Sequence, residues 1–224
     1  MSRLRLLARA VVVYAFSVVA LGALLFLPAG TLHYPGGQRL MALLLIPMLL
    51  LGAVLFVRAP ALLEKRLRSR EKETVQAGVI AASALMFVLA CVLAGVDFRL
   101  GLTHVPAWLT ALACVLLLAA YALYAEVMRE NAYLSRTVEV QENQKVIDTG
   151  LYGIVRHPMY AVTLVLFLSM PLVLGSWLSL AVLLVYPVII AARIRDEERV
   201  LTDGLPGYAE YTQRVRWRLI PFIW

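Results

Sequence analysis

The sequence predicts an all-α integral membrane protein of about six crossing helices, the last two forming a helical hairpin. Three observations predict it. Hydrophobic residues make up 62% of the 224 and charged residues only 16%, against about 45–50% and about 25% in a soluble domain. The excess is gathered in long uncharged runs, which suit a bilayer rather than a core. Between those runs, loops rich and poor in Lys and Arg alternate.

The spans follow in order from the charges that bound them. The first runs from about Ala10 to Pro28, behind Arg3, Arg5 and Arg9. This start resembles a signal peptide, but the apolar run outlasts a typical one, so it reads as a membrane helix. The second is Leu40–Val57, between Arg39 and Arg58; the third is Val75–Val96, between Glu73 and Asp97; the fourth is about Val105–Ala125, before Glu126. Each approaches the ~20 residues that a spanning helix needs. The last run carries no charge from Met159 to Ala192. As one helix it would measure about 50 Å, too long for a core of about 30 Å. Pro171 and Gly175-Ser176 interrupt it, so it reads as a hairpin with arms near 159–173 and 177–195. The first arm is short, and Pro187 is placed to kink the second.

Basic residues cluster at the N-terminus, in loop 58–74 (Arg58, Lys65, Arg66, Arg68, Arg70, Lys72), in segment 126–158 and from Arg193 onward; Arg39 and Arg99 stand alone in the loops between. The positive-inside rule then places both termini, loop 58–74 and segment 126–158 in the cytoplasm. The net charge of +7 is thus read as topology. A nucleic-acid partner would need a soluble basic module, and none is visible. The stretch 61–74 suits either contact with anionic headgroups or a solvated helix extension. Cys91 and Cys114 sit in apolar runs with no CxxC or histidine cluster, so neither a disulfide nor a metal site is expected. His33 and His104 read as incidental loop residues.

Two charged clusters flank the hairpin on the same predicted side. Before it lies DTGLYGIVRHPMY, residues 148–160. Pro158 suits a first helical position, which sets Arg156 and His157 at the positive end of the first arm, where a carboxylate is favoured. Anchoring to lipid phosphates is the competing reading of that pair. After the hairpin lies RIRDEERVL, residues 193–201, in which Arg193 and Glu197 share a helix face. A salt-bridged helix end is the plain reading. Two such clusters meeting at one membrane interface also make a functional candidate.

The pattern Gly150-x-Tyr152 … Arg156-His157-Pro158-x-Tyr160, then Glu197-Glu198-x-x-Leu201, then Gly207-Tyr208-x-x-Tyr211-x-x-Arg214-Val215 and Leu219-Ile220-Pro221, resembles the isoprenylcysteine carboxyl methyltransferase family. The resemblance covers about residues 131–224 and sets them apart from an N-terminal region 1–130 of four spans. It implies an integral membrane methyltransferase that uses S-adenosyl-L-methionine, releasing S-adenosyl-L-homocysteine, bound in a cytoplasmic C-terminal region. It also implies roles. Gln144, Lys145, Val146 and Ile147 would line the cofactor pocket, with Tyr152, Arg156, His157, Pro158, Met159, Tyr160, Glu197 and Glu198 at the cofactor. Arg193 would face the acceptor and, with Glu197, serve catalysis.

The chemistry is compatible. Methyl transfer from a sulfonium asks for alignment and exclusion of water, not a metal or a protein nucleophile. Glu197 could hold an ammonium or ribose hydroxyls, and Tyr152 and Tyr160 an aromatic or cationic group; interfacial belt tyrosines are the other reading. Arg193 favours a carboxylate acceptor, already ionised and needing only a cation, over an amine, which would need a base. The expected partner is therefore a lipophilic small molecule or lipidated substrate entering from the bilayer, among its lipids. Phospholipid N-methylation is the alternative within the enzymes. A transporter or a membrane anchor without enzymatic activity is the alternative outside them.

Overall fold

Helices begin and end in this chain where local chemistry allows. The structure, a computed structural model, describes residues 2–67, 74–131, 133, 140 and 144–224, with the backbone alone at 65, 66, 74–77, 79 and 80. Helix α1 (Arg3–Ala29) starts on Ser2, whose hydroxyl accepts from the Arg5 amide, and stops at left-handed Gly30. Helix α2 (Pro35–Arg58) starts on a proline at its first turn. The short α3 (Pro60–Leu67), α4 (Thr74–Leu100) and α5 (Ala107–Glu130) follow. The rest of the basic loop, 68–73, lies outside the described residues, and so does its headgroup reading. No strand occurs among the described residues.

The hairpin forms as the sequence predicts. Helix α6 (Pro158–Leu174) ends at Gly175, whose φ of 83° is open to glycine at little cost. Ser176 then caps the next helix by accepting from the Ser179 amide at 3.1 Å. The second arm is two helices, α7 (Trp177–Leu183) and α8 (Tyr186–Gly204). The break falls just before Pro187, which supplies no amide and crowds the carbonyl four residues back, that of Leu183.

Among the described residues, five segments are long and apolar enough to cross a membrane: Arg3–Ala29, Pro35–Arg58, Ala81–Leu100, Ala107–Glu130 and Trp177–Gly204. Helix α6, with 17 residues, reaches about 25 Å and is the short first arm. The chain is an all-α integral membrane protein.

Helix α6 lies against α5, α2 and α7, while α1 packs on α4. Leu25, Leu40, Ala94, Ala113, Leu117 and Val173 are completely buried between these helices. The alanines allow close approach, the usual currency of packing where lipid supplies no hydrophobic drive. The turn of the hairpin is pinned. The Tyr34 hydroxyl donates to the Leu174 carbonyl at 2.8 Å. Buried Asp97 accepts from the Ser176 hydroxyl and from the amide and hydroxyl of Thr103. With its closed end fixed, the hairpin presents both open ends, Arg156–Tyr160 and Arg193–Gly204, on the opposite side.

Candidate active site

The open end is assembled from chain segments far apart in sequence. A single turn of 3₁₀ helix, Gly150–Gly153, leads into α6. Gly150 has a φ of 53°, and a Cβ there would overlap the carboxylate of Glu130. That carboxylate accepts from the Leu151 amide at 3.0 Å, so the end of α5 holds the turn. Tyr152 is fixed from two sides: Asn131 Nδ2 donates to its hydroxyl at 3.0 Å, and the Tyr211 hydroxyl donates to its carbonyl at 2.7 Å. Tyr211 belongs to α9 (Tyr208–Arg214). The amides of Arg156 and His157 donate to the carbonyls of Trp217 and Arg218, each at 2.9 Å.

Arg156 and His157 are buried, 8% and 5% exposed, which rules out lipid phosphates as their partners. The carboxylate they meet is the protein's own. Arg156 Nε donates to Glu198 Oε1 at 2.7 Å, His157 Nε2 lies 3.2 Å from the same oxygen, and Arg218 Nε donates to Oε2 at 2.7 Å. Arg156 also donates to the carbonyls of Val215 and Arg216. Burial alone would raise the Glu198 carboxyl; hydrogen bonds from His157, Arg156 and Arg218 outweigh it and hold the group down to about 2. Glu198 lies on the charged end of α8, beyond the apolar stretch that ends at Ala192.

Its neighbour Glu197 turns elsewhere. The Tyr160 hydroxyl donates to Glu197 Oε2 at 2.6 Å and accepts from Arg193 Nε at 2.8 Å. The Arg193 guanidinium also stands 5.8 Å from the centre of the Tyr160 ring, within cation–π range. Arg193 and Glu197 thus share a face, as their spacing predicts, joined through a tyrosine of the other arm.

Between these elements lies an open pocket. Gln144, Lys145, Val146, Ile147, Tyr152, Arg156, His157, Met159, Tyr160 and Glu197 all line it. Pro158, Arg193 and Glu198 do not: Pro158 opens α6, Arg193 stands behind Tyr160, and Glu198 sits within the cationic cluster. The wall also contains residues that sequence reasoning gave no role: Asn131, Tyr133, Leu201, Leu205, Tyr208 and Tyr211. Leu201, Tyr208 and Tyr211 stand inside the motifs quoted above, which was the available signal. Tyr208 is buried, and its hydroxyl has no hydrogen-bond partner among the described residues. Burial, with the charges of Glu198 and Glu197 adding, pushes that hydroxyl far above the ordinary phenol range, so it keeps its proton.

Among the described residues, the wall therefore offers an apolar surface, one carboxylate, a lysine, an arginine, a histidine and amide groups. That inventory fits a ligand combining an aromatic ring, hydroxyls or an ammonium, and a carboxylate.

Known proteins share this region. Residues 108–205 match the phospholipid methyltransferase family. Over 79 residues the chain is 33% identical to the cobalt-zinc-cadmium resistance protein CzcN of Cupriavidus metallidurans, covering 33% of this chain and 35% of that protein. Over 91 residues it is 30% identical to the Delta(14)-sterol reductase TM7SF2 of Mus musculus, covering 39% of this chain and 22% of that protein. The chain thus spans well under half the length of either relative. The matched region, which builds most of the pocket, is thus similar to the phospholipid methyltransferase family, the family of membrane methyltransferases like isoprenylcysteine carboxyl methyltransferase.

Proposed function

We propose that the protein is a membrane methyltransferase that moves a methyl group from S-adenosyl-L-methionine to a lipophilic acceptor, a carboxylate before any other. The observation that carries this reading is the Tyr160–Glu197 contact at 2.6 Å, which joins the two arms of the hairpin inside a pocket of the family's own region. The two relatives' names describe different activities, so the proposal draws on the family match and the site.

S-adenosyl-L-methionine supplies a methyl on a cationic sulfur; that carbon–sulfur bond breaks as the acceptor oxygen bonds the carbon, leaving neutral S-adenosyl-L-homocysteine. The residues do the rest. Glu197 binds the ammonium or ribose hydroxyls. Lys145 and Gln144 meet the carboxylate end. Val146, Ile147, Met159, Tyr152 and Tyr160 exclude water around the reacting centre, which strengthens each electrostatic contact there. Arg156 and His157 wall the pocket, Pro158 sets the start of α6, and Glu198 fixes both of those side chains. Arg193, one residue behind the pocket wall, holds an acceptor carboxylate arriving sideways from the lipid. The positive-inside pattern of the loops supports a cytoplasmic position for this site and both termini.

Calorimetry with S-adenosyl-L-homocysteine on the purified chain tests the reading. Micromolar binding is expected; no binding removes it and revives a transporter or anchor. Incubation with methyl-labelled S-adenosyl-L-methionine and a lipid extract then identifies the acceptor. The family's description favours a second reading, methylation of a phospholipid amine. There Glu197, the carboxylate on the described pocket wall, would take the amine proton. Mass analysis separates a methyl ester from a methylated headgroup.

A further inference from the structure

Beyond α9, residues 217–224 close into a small loop. The Trp224 main-chain oxygen accepts from the amides of Arg218, Leu219 and Ile220 at 2.9, 2.9 and 3.1 Å, and the Ile220 carbonyl accepts from the amides of Ile223 and Trp224, each at 3.1 Å. The Arg218 guanidinium stands 5.5 Å from the centre of the Trp224 ring. Phe222 is held at a φ of 67°, in the left-handed region that a bulky side chain seldom adopts. Such a backbone persists only where its surroundings impose it, and here the hydrogen bonds on both sides do so.

The loop has an inner and an outer face. Inward, Leu219 is buried in the cluster that holds Met86 and Ala90 of α4 with Tyr186, Ile190 and Ile194 of α8, and Trp224 packs on that cluster. Outward stand Phe222, Ile223 and Ile220, 85%, 74% and 47% exposed. The Trp217 ring lies 5.7 Å from that of Phe222. Single exposed apolar residues are ordinary, but a contiguous patch marks a contact surface.

The loop's place in the fold says what covers that patch. Ile190 and Ile194 straddle Ala192, where the charge-free run of the hairpin ends, so the loop stands level with the boundary of the apolar helices. Both helices it leans on expose apolar side chains nearby in the fold, Leu85 and Leu89 on α4 and Val188 on α8. These belong to segments built to cross a bilayer, and lipid is what covers them. The outer face of the loop continues that surface, with exposed Arg216 beside it. Aromatic and branched apolar side chains next to an arginine fit the lipid interface, where rings sit at headgroup level and cations meet phosphate.

We propose that loop 217–224 dips into the bilayer beside α4 and α8, with Ile220, Phe222 and Ile223 among the lipids. The same loop holds the candidate site. The carbonyls of Trp217 and Arg218 receive the amides of Arg156 and His157, and the Arg218 side chain bonds Glu198. The pocket wall is thereby fastened to the membrane surface, whatever ligand the pocket takes.

The test places a nitroxide label at Phe222→Cys or Ile223→Cys, in Cys91→Ala/Cys114→Ala protein reconstituted into vesicles of equal parts phosphatidylcholine and phosphatidylglycerol. Leu85→Cys, on the outer face of α4, and Gln213→Cys, exposed on α9, serve as references. At 222 and 223 collisions with oxygen should exceed those with a water-soluble nickel chelate, as at 85, and the reverse should hold at 213. A water-like ratio at 222 and 223 overturns the proposal. So does shielding from both reagents, the sign of a protein partner or a second copy. A photo-crosslinking phenylalanine analogue at 222 and 223 repeats the measurement with both native cysteines in place. Adducts with lipid are expected there; adducts with protein, or none, overturn the proposal.

Discussion

Arg156 and Glu198, 42 positions apart in sequence, meet in a 2.7 Å ion pair that ties the entrance of the hairpin to its exit. The pair explains why two consecutive glutamates serve different ends. Neighbouring side chains on a helix point about 100° apart, so one turn of α8 sends Glu197 to Tyr160 and the pocket, and Glu198 to Arg156, His157 and Arg218. The pocket wall on one side of α8 is held in place by the clamp on the other.

Glu198→Gln should therefore damage the fold before the chemistry. It removes the charge that Arg156, His157 and Arg218 share and leaves a buried guanidinium under-compensated. Breaking a buried pair in this way costs about 3–5 kcal/mol. The melting temperature in detergent should drop by several degrees, and the affinity for S-adenosyl-L-homocysteine should fall only as far as the pocket loosens. An unchanged melting temperature with lost binding would instead make Glu198 a direct ligand.

The same clamp predicts an acid limit. Against the upward pull of burial, hydrogen bonds from His157, Arg156 and Arg218 hold the Glu198 carboxyl at about 2 in the folded protein, below its ordinary 4.5. Its stabilisation is full above the unfolded value and is lost as the pH falls from about 4.5 toward 2, because protonation is favoured in the unfolded chain. Denaturation followed between pH 7 and pH 2 should show this loss in the wild type. Glu198→Gln, which cannot titrate there, should show a flatter profile.

The hydrogen bond between Tyr160 and Glu197 should appear as coupling. Tyr160→Phe and Glu197→Gln are each expected to weaken S-adenosyl-L-homocysteine binding, Glu197→Gln by tenfold or more. The double variant should lose less than the sum, by about 1–3 kcal/mol, since the two side chains share a charge-assisted bond. Strict additivity would mean that the bond does not organise the pocket.

Much of this architecture is legible in the sequence because a bilayer writes in long words. Span limits follow from charges, and the hairpin follows from an apolar run too long to be one helix and broken at Gly175-Ser176. The helices outrun those limits, as with Arg3–Ala29 against Ala10–Pro28, because capping by Ser2 and Gly30, not the last apolar residue, ends a helix. The convergence of Gln144–Ile147 with Tyr160 and Glu197 is legible only through the family's motifs, since those segments have no shared periodicity. The division between Glu197 and Glu198 is not legible, because both are acidic and adjacent and only the packed helix decides where each points. The carbonyls of Trp217 and Arg218 that receive the Arg156 and His157 amides are equally hidden: pairing at that separation leaves no local signature. Tyr208 is visible as a motif residue, but its unmet hydroxyl is not, for such a group exists only once a wall has formed around it.

Arg193 carries the sharpest test of the acceptor. Its guanidinium donates to the Tyr160 hydroxyl and lies outside the pocket wall, so Arg193→Ala should leave S-adenosyl-L-homocysteine affinity within about threefold, the small change passing through Tyr160. Turnover should fall by roughly ten- to a hundredfold if the acceptor is a carboxylate, since a charge-assisted contact is worth about 1.5–3 kcal/mol. Arg193→Lys keeps the charge but loses the planar fork, so it should recover part of kcat/KM for a carboxylate acceptor. An amine acceptor reverses the expectation, because removing a nearby cation makes an ammonium easier to bind and to deprotonate. Higher turnover of Arg193→Ala on phosphatidylethanolamine than the wild type shows would settle the acceptor as an amine.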